Sequence, residues 1–153
     1  MADVINQYNH TFSFITKTGM DNIVPVAMLL NSSGTFDATD TTLDDVAGAP
    51  TGSPAHRPNE VYGNGWAEDG EALDTVAVSV WNTTGFMIDG ADERHTATGG
   101  AIGPYNAVVV YDLTTGKPLW HINNGGTLAA KTAGEATDNV IVWNAAGILR
   151  GSL

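Results

Sequence analysis

The chain is 153 residues long, 42% apolar and free of cysteine, which fits one globular domain and excludes disulfide staples, thiolate metal sites and cysteine nucleophiles. Six Lys and Arg stand against 17 Asp and Glu, a formal net charge of −11 at pH 7. A surface of that sign repels phosphate, so neither nucleic acid nor membrane is expected as a partner, and 18 glycines suit short strands joined by turns rather than a helical bundle.

Residues 1–20, MADVINQYNHTFSFITKTGM, show no basic stretch followed by an apolar one, so no secretory signal is expected there. Their apolar residues fit two periods at once. Phe12 and Phe14 alternate as in a strand, whereas Tyr8, Phe12 and Ile15 share a helix face. The segment is therefore ambiguous, or an arm that orders only against a neighbour. Residues 21–153 read as a single β-rich domain. VPVAMLL (24–30) predicts a buried strand, and Pro25 is tolerated near its start, where no ladder N–H is needed. Residues 31–59 hold three prolines, Pro50, Pro54 and Pro58, and predict one long loop with a short helix over 41–46 capped by Asp40. Loops of that length are usually functional or disordered, so this one is the expected inter-subunit arm or contact loop.

EVYGNGWAEDGEALD (60–74) predicts an irregular strand or bulged turn, with glycines supplying positive φ beside Trp66. TVAVSVW (75–81) alternates cleanly, Val76, Val78 and Val80 on one face and Ala77, Ser79 and Trp81 on the other, and TGFMID (84–89) predicts a further strand. Residues 90–103 read as a polar connection. A hairpin comes next, with strands at 105–111 and 118–123 and Gly116 supplying the left-handed residue of its loop. Its first strand is apolar on both faces and so belongs inside a sheet covered on both sides. Residues 123–139 read as loop, and VIVWNAAGIL (140–149) as the strand that closes the sheet. Six to eight short strands at turn-separated spacing predict an all-β fold, a mainly antiparallel sandwich or barrel with long loops and at most one or two short helices. The apolar runs 23–30 and 107–111 are too short to span a bilayer as helices.

The candidate chemistry is thin. Asp37, Asp40, Asp44 and Asp45 lack the spacing of a calcium loop and suit a solvated helix start. Asp92, Glu93 and His95 form a polar turn, and the four histidines, 10, 56, 95 and 121, show no metal-binding spacing. No GxSxG is present. GNGWAEDG lacks the third glycine and the lysine of the phosphate loops, and its acids repel phosphate. Glu68, Asp69 and Glu71 beside Trp66 sketch a sugar-binding or glycosidase cleft, although Trp66, Trp81, Trp120 and Trp143 fit core or subunit-interface anchors better. Sequons stand at Asn9, Asn31 and Asn82 and matter only in a secreted eukaryotic protein. No catalytic, cofactor-binding or metal-ligating residue is assigned. The candidate interface residues are Phe12, Phe14, Phe36, Pro54, His56, Arg57 and Trp66.

Four segments, in order over roughly 22–149, resemble a family of small tailed-bacteriophage virion proteins. VPVAMLL (24–30) is similar to an early "IKVALL" strand, and EVYGNGWAEDGEAL (60–73) to a middle "EVxGxGYxxGGxxL". YNAVVVYDLTTGKPLWHINNGG (105–126) is similar to a "YAVVYxDTxxxPLIxYxDFG" hairpin, and NVIVWNAAGIL (139–149) to a closing "FTIxWNAxGIL". Trp66 stands where Tyr is usual, HINNGG replaces the DFG end, and 49–58 has the look of an insertion. The resemblance implies a non-enzymatic capsid decoration, or cement, protein on the outer surface of the virion. Its implied partners are the major capsid protein and neighbouring copies of itself, as dimers or trimers. A tail, fibre or head-to-tail component and a carbohydrate-binding module are the alternatives.

Overall fold

The apolar run after Asn106 sets the architecture. In the computed structural model, which describes residues 4–19, 22–73, 77–82, 85–89, 93–124, 131–133, 138–141 and 149–152, all six residues of strand Ala107–Asp112 are buried. A strand of that kind has to be flanked on both edges and covered on both faces. It pairs antiparallel with Pro25–Leu30 on one side and with Lys117–Asn123 on the other.

In chain order the elements are β1 (Val4–Gln7), α1 (Thr11–Thr18), β2 (Pro25–Leu30), α2 (Leu43–Ala47), β3 (Thr51–Gly52), β4 (Ala55–His56), β5 (Glu60–Val61), β6 (Glu71–Ala72), β7 (Ala77–Asn82), β8 (Gly85–Asp89), β9 (Glu93–Thr96), β10 (Ile102–Tyr105), β11 (Ala107–Asp112), β12 (Lys117–Asn123), β13 (Lys131–Ala133), β14 (Asp138–Ile141) and β15 (Leu149–Ser152). The main sheet runs β1-β12-β11-β2-β5, with β6 sharing the β5 edge of β2. Smaller ladders join β10 to β13, β14 to β9, β15 to β8 and β7, and β3 to β4. The fold is all-β and mostly antiparallel, and no sheet among the described residues closes into a barrel.

The main sheet carries a core on each face. Val108 and Val110 join Ala27, Leu29, Trp120 and Ile122, their register partners, in one cluster, which Trp66, Ala97, Ile102 and Tyr105 cover. Ala107, Val109 and Tyr111 join Val26, Met28 and Leu30 in the other, under Leu43, Val46 and Ala47 of α2 and Tyr8. Register slips between Val110 and Tyr111, and Leu119 and Trp120 both enter the first core, as a bulge with two residues opposite one allows. Each such side chain contributes about 1.5–3 kcal/mol by leaving water.

Asp112 closes one end of this frame, where β2 begins and the β11–β12 hairpin turns. It sits in register with Pro25, which has no N–H to give. The Asp112 carboxylate instead accepts from the Val24 N–H at 3.0 Å, while its second oxygen accepts from Thr115 N at 3.0 Å and Thr115 Oγ1 at 2.6 Å. Gly116 has φ +67°, the left-handed turn residue that the hairpin requires.

Several expectations are corrected. Residues 4–18 supply both a strand and a helix: β1 extends the main sheet beside β12, and α1 carries half-buried Phe14 and Ile15 onto the first core. The cap of α2 is Thr42, not Asp40, because Thr42 and Asp45 form a reciprocal capping box. The long loop holds a two-residue hairpin, β3–β4. The polar connection 90–103 contains β9 and the first two residues of β10, and Ala97 and Ile102 within it are buried. The 123–139 loop contains β13 and the start of β14, and of the expected closing strand the described residues 140–141 belong to β14, paired with β9, and 149 to β15, paired with β8. The strands expected at 75–81 and 84–89 are present as β7 and β8; the faces of their side chains, and Trp143, lie outside the described residues.

Candidate functional site

The edge of β2 is shared by two short strands, and between them the chain leaves the sheet. Residues 62–70 form this excursion. Gly63 and Trp66 exchange two backbone hydrogen bonds, 2.8 and 3.1 Å, around Asn64 and Gly65, whose φ angles are +55° and +103°. Two successive positive φ values are what a tight Asn-Gly hairpin turn needs, and a Cβ on Gly65 would stand 2.5 Å from the Thr96 carbonyl oxygen. Trp66 then turns into the first core, with its ring edge-on to His95 at 4.8 Å between centroids.

The chain returns through Ala67–Gly70, closed by Gly70 N–H to Ala67 O at 3.2 Å. Gly70 lies against β2 so closely that a Cβ there would overlap the Ala27 carbonyl. Asp69, at φ +64°, is held at three points. Its N–H donates to Glu60 Oε1 at 2.6 Å, its carbonyl accepts from Tyr111 Oη at 2.5 Å, and its Oδ1 lies 3.8 Å from Arg57 Nε.

Arg57 ties a third segment in. Its Nη1 donates to Asp44 Oδ1 at 2.5 Å and to the Gly48 carbonyl at 3.0 Å, joining the first turn of α2 and the residue after it to the excursion. Beside it His56 pairs with Glu68 and packs on the ring of Tyr62 at 5.2 Å. Ala67 N–H donates to Glu71 Oε1 at 2.7 Å.

Glu60 is the electrostatic centre of this cluster. It is only 8% exposed. Burial pushes its carboxyl up to about 7, helped by the charges of Asp69 and Glu68 and opposed by the Asp69 N–H bond and by Arg57. Burial, with the charges of Asp69 and Glu60, pushes Tyr111 up to about 12. The cluster is a mainly acidic corner built on a sheet edge, suited to holding loops in place.

The candidate interface residues do not form one surface. His56 and Arg57 meet the 66–71 return, and Pro54 stands exposed at the β3–β4 turn before them. Phe14 packs against the first core and Phe36 against the second, on opposite faces of the sheet. The Phe36 ring lies 5.1 Å from Tyr8 and 5.9 Å from His121. Phe12 is 48% exposed on α1. Trp66 is 2% exposed, so it is a core residue of this chain and offers no face to a neighbour or a sugar ring. That corrects its place among the contact residues and removes the stacking platform from the sugar-binding alternative. Sequence reasoning does not single out Glu60, Tyr62 or Tyr111. The only local signal is the run of acids at 68–71, and nothing in the chain order places Tyr111 beside Asp69.

Of the four acids at 37–45, Asp44 and Asp45 lie in the first turn of α2, and Asp37 accepts from Thr39 N and Oγ1 at 2.9 and 2.7 Å. Among the described residues no three His, Asp or Glu are grouped to hold a metal ion, and no helix is long and apolar enough to cross a membrane. Comparison with protein-family models, curated proteins and solved structures returns no match.

Proposed function

We propose that this chain is a bacteriophage capsid decoration protein, one that binds the outer surface of an assembled shell together with copies of itself and stabilises it without making or breaking bonds. The observation that carries the reading is that three of the four resembling segments are neighbours in the main sheet. VPVAMLL supplies β2, EVYGNGWAEDGEAL supplies β5, β6 and the excursion between them, and the hairpin supplies β11 and β12. Over those three the likeness falls on one contiguous frame, while the fourth segment contributes to β14 and β15 in the smaller ladders with β9 and β8. The segments without the likeness, residues 31–59 above all, are those free to carry contacts.

Charge supports the outer face. A chain of net charge −11 is repelled by packaged nucleic acid and tolerated where solvent and counterions surround it. The mechanism is mass action: a protein that binds only the assembled shell stabilises it by about 2.7 kcal/mol per site at a free concentration near 100 Kd, repeated over a symmetric lattice.

Quantitative gel analysis of purified particles tests the assignment. Copies comparable in number to the coat protein are the expected result. A handful per particle would move the chain to a tail or head-to-tail position, and absence from particles would overturn the reading.

A further inference from the structure

We propose that the corner built by Glu60, Arg57, Asp69 and Tyr111 is a pH-sensitive latch, which holds the 62–70 excursion closed at acidic pH and loosens it as the pH rises through neutrality. This inference concerns the fold alone and does not rest on a virion role.

The geometry supplies a clamp with one catch. Asp69 is held through its N–H by Glu60 and through its carbonyl by Tyr111, with its carboxylate 3.8 Å from Arg57 Nε, and it holds a positive φ that Asp tolerates better than most side chains. Between β5 and β6, no residue of the excursion pairs with β2. Its return to the sheet is held by this grip, by Gly70 against Ala27 and by Trp66 in the core, while its tip is tied by Thr98 N–H to the Asn64 carbonyl at 2.8 Å and by Asn64 Nδ2 to the Ala101 carbonyl at 2.7 Å.

The catch is the Glu60 carboxyl. Its Oε1 accepts the Asp69 N–H, while Oε2 is buried with no hydrogen-bond partner among the described residues. The charged and titratable groups around it are Arg57 from the turn before β5, Tyr62 just after it, Glu68 and Asp69 from the excursion, and Tyr111 from β11. Arg57 is shared with Asp44, Glu68 is paired with His56, and β2 contributes no titratable side chain.

A neutral Glu60 fits this corner, because the Asp69 bond needs only an acceptor. An ionised Glu60 buries a carboxylate oxygen without a partner beside two further acids. The closed latch thus retains the Glu60 proton to about pH 7, whereas an opened latch returns the carboxyl to water and to its usual range. Proton linkage then favours opening as the pH rises between those two values.

Hydrogen–deuterium exchange of the full chain at pH 5 and pH 8, expressed as protection over the intrinsic rate, reads the latch directly. The expected result is a fall in protection of the 62–70 amides of roughly tenfold or more, with β11 and β12 unchanged, and no such fall in Glu60→Gln. Equal protection at the two pH values, or the same fall in Glu60→Gln, overturns the proposal. Should Glu60→Gln fail to fold, carbon-13 titration of the Glu60 carboxyl in the unaltered chain decides. A midpoint well above the usual glutamate value supports the latch, and a midpoint at or below it overturns it.

Discussion

Asp112 is the single side chain on which most of the frame converges. It is 1% exposed, and its two oxygens satisfy the start of β2 and the turn of the hairpin together. Asp112→Ala leaves Val24 N–H and Thr115 N–H without that acceptor, so the expected loss is about 2–3 kcal/mol in urea unfolding; a change below about 0.5 kcal/mol would contradict the role. His121 gives a pH signature. It is fully buried between Phe36 and the sheet, with Nε2 donating to the Gly34 carbonyl at 2.9 Å, and burial lowers its pKa. The unfolded chain takes up that proton first as the pH falls below about 6.5, so the His121 contribution is complete above that value and is lost on acidification. Thermal melts between pH 5 and 7 should show a shallower acid slope for His121→Gln than for the unaltered chain. An identical slope would mean that His121 does not titrate between the two states.

At the scale of elements, β11 is the strand on which both cores depend. Val108 faces the first core and Val109 the second, so Val108→Asp and Val109→Asp are both expected to prevent folding, read by loss of near-ultraviolet circular dichroism. One-sided burial would spare one of the two. This strand is legible in the sequence because its run of apolar residues breaks the alternation of a half-exposed sheet, and the hairpin after it because Gly116 and Asp112 mark the turn. The irregular edge at 60–74 is legible from its glycines. Helix α1 is only half legible, since Phe12, Phe14 and Ile15 fit two periods and burial of Tyr8 and Thr11 decides between them. The two-residue ladders β3–β4 and β5 have no periodic signal to give, being held by pairing with residues distant in sequence or by a turn. The polar corner is illegible for the same reason. Asp44, Arg57, Asp69 and Tyr111 are spread over four segments, and only the return of the excursion brings them together.

For the whole molecule, the frame and its decorations divide the labour. A sheet with a core on each face forms the body, and the β3–β4 hairpin and the 62–70 excursion are fastened to its edge through Arg57 and Glu60. The −11 charge makes crowding of copies unfavourable at low salt and easier as screening rises. The most direct test of the stabilising role is the heat-rupture temperature of purified particles assembled with and without this chain. Particles lacking it are expected to rupture at a lower temperature and to recover when the purified protein is added back; equal rupture temperatures, at full occupancy of the lattice, would contradict the stabilising role.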